Sequence, residues 1–274
     1  MEVIELDGLN SRQVSMANEL VRAAHGLPLQ EKRLLMLAVS KLDSSKPALP
    51  DNMILTVSVL EMISEFGIDK KSAYKVAREA TEKLMNRYIR FHHFENKKVV
   101  ETRMQWVGQA DYKETEGLIT LHFWYKLAPM LFALEQQFTS YKLSRAGALQ
   151  SKYSWRLFEL LMQFKTTGYL TISLEKFNLA METPKSYLQD FGLIRTKILE
   201  KAVNEIRKKD GLKVTWKPIK TGRRVTALEF RFPVEQQHEL FKIDKAYIDK
   251  YARPGESYEQ AGKRLKEEAK KQTE

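Results

Sequence analysis

The sequence predicts an α+β fold made of two tandem winged-helix domains, each a helix-turn-helix followed by a β-hairpin. Segments with helical spacing are followed, twice along the chain, by short runs rich in β-branched and aromatic residues with turn residues between them. The second half repeats the first as an order of elements, although the residues are not visibly similar. A chain of 274 residues is long enough for two such domains.

The first domain is expected over residues 1–135. Apolar residues three and four apart predict helices at Met16–Ala24, Leu29–Leu42, Val59–Phe66 and Lys70–Met85. Gly67 ends the third helix and Asp69 caps the fourth, so the sequence predicts a helix, a tight turn and a second helix. The β-rich runs predict strands at Ile54–Val57, Tyr88–Phe94, Val99–Ala110 and Leu118–Tyr125.

The second domain is expected over residues 136–233, with Leu127–Gln150 linking the two halves. Its helices are predicted at Tyr153–Phe164, Leu174–Met181 and Ser186–Lys209, and its strands at Tyr169–Ile172, Leu212–Pro218 and Val225–Phe232. Residues 234–274 form a polar, charge-balanced tail, helical up to Tyr251 and interrupted by ARPGES. The run after this break is too polar to fold alone, so we expect the tail to be partly disordered.

Positive charge is concentrated in the second domain. The formal net charge is +11, and residues 142–233 carry 19 Lys and Arg against 8 Asp and Glu, while the flanking parts are balanced. A clustered excess is typical of a surface that binds nucleic acid, because phosphates attract Lys and Arg and release counterions on binding. A basic solvated surface without a ligand would show the same count.

The composition argues against several other classes of protein. With no cysteine, the chain has no disulfide, thiolate nucleophile or cysteine-ligated zinc. It has no G-x-x-x-x-G-K-[ST] loop and no run of about 18 apolar residues, and its N-terminus is acidic. The histidines, which form no His-x-His or His-hydrophobic-His triplet, are His25, His92, His93, His122 and His238. We expect a cytoplasmic protein that is not an enzyme and needs no metal, cofactor or membrane.

The predicted helix Ser186–Lys209 is the leading candidate for reading DNA. Its apolar residues, which recur at three and four residues and would pack inward, are Phe191, Ile194, Ile198, Ala202 and Ile206. A major groove about 12 Å wide accepts such a helix, and its polar side chains suit base edges and phosphates. The candidate DNA-binding residues here are Lys185, Ser186, Gln189, Arg195, Thr196, Lys197 and Lys201. A solvated helix face is the alternative for these residues.

Two further basic groups are candidate phosphate contacts. Lys220, Arg223 and Arg224 surround Gly222 at the tip of a predicted hairpin, where a turn needs the glycine but not three crowded cations. In the first domain, a basic start to the second helix of the helix-turn-helix is formed by Lys70, Lys71, Ser72, Lys75 and Arg78. These contacts would position the protein on DNA without specifying sequence.

Three segments resemble the initiator replication proteins of theta-replicating, iteron-bearing bacterial plasmids. They are GLPLQEKRLLMLAVSKLD, FTSYKLSRAGALQSKYSWRLFELLMQF and YLQDFGLIRTKILEKAVNEIRKKDGLKVTWKPIKTGRRVTALEFRF, within a resemblance that covers about residues 10–235. The resemblance implies that the second domain reads an origin repeat, or iteron, and that the first contacts the neighbouring DNA backbone. It also implies that monomers help to open an AT-rich region and recruit the host's initiator and helicase.

The resemblance further implies a homodimer, formed through the first-domain strands around Val99–Tyr125, that binds an inverted repeat and represses its own gene. A winged-helix transcriptional repressor without initiator activity would show the same charge map and the same helices. A rolling-circle nickase is disfavoured by the missing histidine triplet. A protein-interaction scaffold would leave the basic second domain without a purpose.

Overall fold

The computed structural model describes residues 12–95, 98–234, 248, 251–253 and 256–271, so His238 lies outside the described residues. It has two compact units, Met1–Pro233 and Val234–Glu274. In the second unit, helix α11 (Tyr258–Lys271) begins after the sequence ARPGES, and two of its residues, Ala261 and Leu265, are buried with Ile248. The sequence interpretation of the run after ARPGES did not predict this helix or its buried residues.

The first winged helix contains a helix-turn-helix and a three-stranded sheet. Its elements are α1 (Asn18–Arg22), α2 (Leu29–Val39), β2 (Ile54–Ser58), α3 (Val59–Phe66), α4 (Lys70–Leu84), β3 (Tyr88–Glu95), β4 (Lys98–Gln105), β5 (Val107–Lys113) and β6 (Leu118–Phe123). The sheet has the order β2-β6-β5, and β3 and β4 form a separate hairpin. The predicted run Val99–Ala110 is therefore two strands, which are separated by the fully buried Trp106.

The turn between α3 and α4 begins and ends at the residues that the sequence predicts. Ser58 and Glu61 form a capping box at the start of α3, and Gly67 ends that helix in the left-handed conformation with φ +60°. Asp69 occupies the N-cap position of α4, but its side chain accepts no capping hydrogen bond. Its carbonyl oxygen instead accepts a hydrogen bond from the hydroxyl of Ser72 at 3.1 Å.

The second winged helix repeats this architecture. Its elements are α7 (Lys152–Met162), β8 (Tyr169–Ser173), α8 (Leu174–Met181), α9 (Phe191–Ile194), a π-helical turn (Arg195–Leu199), α10 (Glu200–Lys209), β9 (Thr215–Thr221) and β10 (Arg224–Arg231). The strand order β8-β10-β9 matches β2-β6-β5, with the first strand paired to the last. The predicted fold of two winged helices is confirmed by this shared order.

The chain start and the predicted linker differ from the sequence interpretation. Residues Gln13–Ala17 form strand β1, not the start of a helix, and pair antiparallel with β7 (Phe138–Lys142). The alternating residues Val14 and Met16 are fully buried, which favours a strand. The segment Leu127–Gln150 is also not a plain connection, since it contains α5 (Ala128–Leu131), β7 and α6 (Leu143–Gly147).

A buried polar network joins α2 of the first winged helix to α7 of the second. Lys32 Nζ and Arg156 Nη1 both donate to Glu159 Oε2, at 2.7 and 2.9 Å. The hydroxyl of Tyr141 on β7 donates to Glu159 Oε1 at 2.8 Å. The side chains of Lys32 and Glu159 are fully buried. Such charges are tolerated in a core because each one has a partner.

Burial shifts the pKa values within this network. Desolvation lowers the pKa of Lys32 to about 8, although Glu159 opposes the shift. Desolvation raises the pKa of Glu159, but Lys32 and Arg156 outweigh it, and the net effect is a lowered pKa. Burial, followed by the charge of Arg156, lowers the pKa of His25 well below its ordinary value. At neutral pH, Glu159 is therefore the anion on which two buried cations depend.

Candidate nucleic-acid interface

The helix that we expect to read DNA begins later than its sequence pattern predicts. Asp190 caps it by accepting a hydrogen bond from the backbone N–H of Gly192 at 2.7 Å, and the helix starts at Phe191. Residues Lys185–Tyr187 form a separate 3-10 turn after Pro184. The predicted start at Ser186 was wrong, because Pro184 and the Asp190 cap divide the segment into a turn and a helix.

The recognition helix, defined as α9, the π-helical turn and α10, keeps the predicted buried and exposed faces. Of the predicted inward residues, Ile194, Ile198, Ala202 and Ile206 are buried and Phe191 is half-buried. The predicted outward residues Thr196 and Lys197 are exposed, as are Arg195 and Lys201 on the flanks. Leu199, at the end of the π-helical turn, and Val203 are also buried. In this turn the hydroxyl of Thr196 donates to the carbonyl of Gly192 at 2.9 Å, so part of its bonding capacity is used within the helix.

The second wing is the β9–β10 hairpin, and its tip is cationic. Gly222 lies at the tip with φ +60°, in the left-handed region that glycine adopts without strain. The neighbouring cations Lys220, Arg223 and Arg224 are exposed, and none of them forms an ion pair with another described residue. The wing therefore presents charge that no described side chain neutralises.

The recognition helix and the second wing enclose one groove of about 710 Å³. Five predicted DNA-binding residues line it: Gln189, Arg195, Lys220, Arg223 and Arg224. The lining also contains apolar residues that were not among the predicted DNA-binding residues, namely Leu188, Phe191, Trp216 and Pro218. Arg195 is partly engaged, because its Nε lies 3.6 Å from Glu200 Oε1. Leu188 is 42% exposed and lines this groove beside Gln189.

The predicted residues of the first winged helix lie at the start of α4. Lys70, Lys71, Ser72 and Lys75 are exposed on its first two turns. Arg78, one turn further on, forms an ion pair with Glu114 in the turn between β5 and β6. None of these five residues lines the groove of the second winged helix. In the second winged helix the groove lining likewise does not include the candidates Lys185, Ser186, Thr196, Lys197 and Lys201.

Three of the histidines contact an acidic or an aromatic side chain. His92 Nε2 lies 3.2 Å from Glu101, and His122 Nε2 lies 3.2 Å from Asp111. His25 is buried against the ring of Trp106. Within the described ranges, no group of three or more His, Cys, Asp or Glu side chains could hold a metal ion. Among those same residues, no helix is long and apolar enough to cross a membrane.

The fold and the site define a two-domain winged-helix protein whose second domain carries a basic helix and a basic wing. Two family models match the chain: "Initiator Replication protein, WH1" over residues 13–162 and "Initiator Rep protein, WH2" over residues 173–232. The first match alone spans more than half of the sequence. The chain belongs to the initiator replication protein family.

Three similar proteins agree with this assignment. A replication initiation protein of Escherichia coli is 25% identical over 83% of this chain and 71% of its own length. The PI protein of Escherichia coli is 22% identical over 88% of each chain. The crystal structure of the Pi initiator protein in complex with iteron DNA has a TM-score of 0.71 at 21% identity, and covers 83% of this chain and 99% of its own. At that identity the structural likeness shows the fold.

Proposed function

We propose that this protein initiates plasmid replication by binding iterons in double-stranded origin DNA. The observation that carries the proposal is the groove in which the recognition helix faces the cationic tip of the second wing. A helix with exposed polar residues suits the major groove, and a cationic wing suits the adjacent phosphates. The similar Pi initiator protein was crystallised in complex with iteron DNA, which supports the same ligand for this chain. The protein acts by binding, not by catalysis.

The two domains have different roles in DNA binding in this proposal. Residues 136–233 read the iteron, and residues 1–135 contact the neighbouring backbone through the basic start of α4. Monomers occupy the iterons, promote opening of an adjacent AT-rich region, and recruit the host's initiator and helicase in the bacterial cytoplasm. Dimers bind an inverted repeat and repress the protein's own gene.

The pairing of the strands within Val99–Tyr125 indicates which of them could form the proposed dimer interface. Strand β6 is hydrogen-bonded on both sides, to β2 and to β5, so it has no free edge. Each of β4 and β5 pairs with one described strand, and each therefore has an edge without a described partner. An edge strand can pair with the same strand of a second chain. We place the dimer contact on β4 or β5.

Replacing Lys197 with alanine is expected to relax specificity at one base pair by about 1 to 3 kcal/mol, because Lys197 lies exposed on the recognition helix. The measurement is a binding scan over single-substituted iterons. The matched control is Lys208→Ala, which removes an exposed lysine from the last turn of α10. A uniform loss over all sequences would make Lys197 a phosphate contact and remove it from the reading set.

Origin opening separates the proposed initiator from a transcriptional repressor of the same fold. Purified protein is added to supercoiled plasmid that carries its own replicon's origin, and unpaired thymines are mapped by permanganate. The proposal expects new reactivity in the AT-rich region next to the iterons. Occupied iterons without any opening would favour the repressor.

A further inference from the structure

The two wings have opposite charge. At the tip of the second wing, cations surround Gly222, whereas the first wing, the β5–β6 hairpin, presents the exposed acids Asp111, Glu114 and Glu116. Lys113 is the cation at this first tip, and its Nζ lies 3.7 Å from Glu116 Oε2. An acidic wing repels the DNA backbone, so the first wing is unsuited to the phosphate contact that we propose for the second.

The first wing is packed against α4. Glu114 forms an ion pair with Arg78, and the Arg78 guanidinium lies 5.8 Å from the centre of the Tyr112 ring on β5. The wing glycine Gly117 lies close to α4 as well, because a Cβ built on it would be 2.9 Å from the Tyr74 ring. These contacts hold the acidic tip beside the helix that carries the basic start of the first winged helix.

Arg78 belongs to the same face of α4 as two exposed lysines. Lys71, Lys75 and Arg78 follow one another at four and three residues, which places them on one side of a helix. The first two form no ion pair with any other described residue, and Arg78 has Glu114. The carboxylate of Glu114 therefore lies at the Arg78 end of this row of cations, in the position that we expect a DNA phosphate to occupy.

We propose that Glu114 competes with DNA phosphate for Arg78 and so limits the affinity of the first winged helix for DNA of any sequence. This inference rests on the proposed function, in which the start of α4 contacts the backbone. The competition is reversible, because both side chains are partly exposed, at 44% for Arg78 and 68% for Glu114, and exposed ion pairs are weak. Freeing Arg78 adds one cation to the phosphate-binding set.

The test is the salt dependence of binding to unrelated double-stranded DNA. Glu114→Gln is expected to strengthen binding several-fold at low salt and to steepen the slope of log K against log salt by about 0.9, the value for one added phosphate contact. Arg78→Ala alone is expected to weaken binding, because Arg78 belongs to the basic start of α4, and Glu114→Gln is expected to give no gain when it is combined with Arg78→Ala. The matched control, Glu116→Gln, makes the same charge change in the same turn away from Arg78 and is expected to leave the slope unchanged.

Three results would overturn the inference. They are an unchanged slope in Glu114→Gln, an equal gain in Glu116→Gln, and a gain that survives Arg78→Ala. Circular dichroism spectra and melting curves of the four variants establish that each is folded. Failure of the proposed function would give a different result, namely a wild-type protein that binds iterons and unrelated DNA equally well. The salt slope on unrelated DNA could still be measured for such a protein, so the role of Glu114 would still be tested.

Discussion

Replacing Glu159 with glutamine is expected to lower the free energy of unfolding by about 3 to 5 kcal/mol, the usual cost of breaking a buried ion pair from one side. The substitution keeps the shape of the side chain but leaves Lys32 and Arg156, which are both bound to Glu159 Oε2, without their anion. Urea unfolding at neutral pH measures the change. The matched control is Glu79→Gln, which removes the charge of an exposed partner of Lys83 and is expected to leave the free energy of unfolding nearly unchanged.

The loss of stability in Glu159→Gln, called the deficit below, is also expected to depend on pH, which gives a second test of the same network. In the wild type the pKa of Lys32 is about 8, below its ordinary value of 10.5. Folding therefore favours the neutral form of Lys32, and the contribution of Lys32 to the free energy of unfolding rises with pH between 8 and 10.5. Without Glu159 the pKa of Lys32 falls further, and the rise begins below pH 8. The deficit of the variant is therefore expected to shrink as the pH rises towards 8 and to level off above 8. A small, pH-independent deficit would contradict the role given to Glu159.

Replacing Arg223 and Arg224 together with alanine is expected to weaken binding to DNA of every sequence, by about tenfold or more at moderate salt, and to reduce the salt slope by about two. Both side chains are exposed at the tip of the second wing, and Gly222 still forms the turn in the variant. Binding isotherms at several salt concentrations, on iteron and unrelated DNA, measure both effects.

A double variant of Lys208 and Lys209 is the control for the wing experiment. It removes the same net charge from exposed positions in the last turn of α10, outside the groove. An equal loss of slope in both double variants would show that total charge, not the wing, determines binding. An unchanged slope in the wing variant would remove the wing from the interface.

Local signals in the sequence were sufficient for most of the fold. Gly67 and Ser58 specify the ends of α3 by backbone conformation and capping, which act within a few residues. The alternation Ile119, Leu121, Phe123 in β6 directly gives its buried face. The recognition helix retains its predicted inward and outward faces because apolar periodicity fixes them.

Features that depend on distant partners were not predictable in this way. Strand β1 exists because β7 pairs with it 125 residues later, as the Ser15–Ser140 hydrogen bond shows. The break at Trp106 interrupts a run whose alternation is compatible with one continuous strand. Lys32 and Glu159 look like solvated helix residues until α2 and α7 are packed together. For the same reason, the Arg78–Glu114 pair could not be distinguished in the sequence from two unrelated surface charges.

Reading of iterons by the second winged helix can be tested by a gel-shift titration of the protein with its own replicon's origin DNA, at physiological salt and with excess unrelated DNA. We expect a ladder that survives the competitor and in which the number of discrete complexes equals the number of iterons. Complexes that smear and disappear when unrelated DNA is added would contradict sequence-specific reading of iterons by the second winged helix.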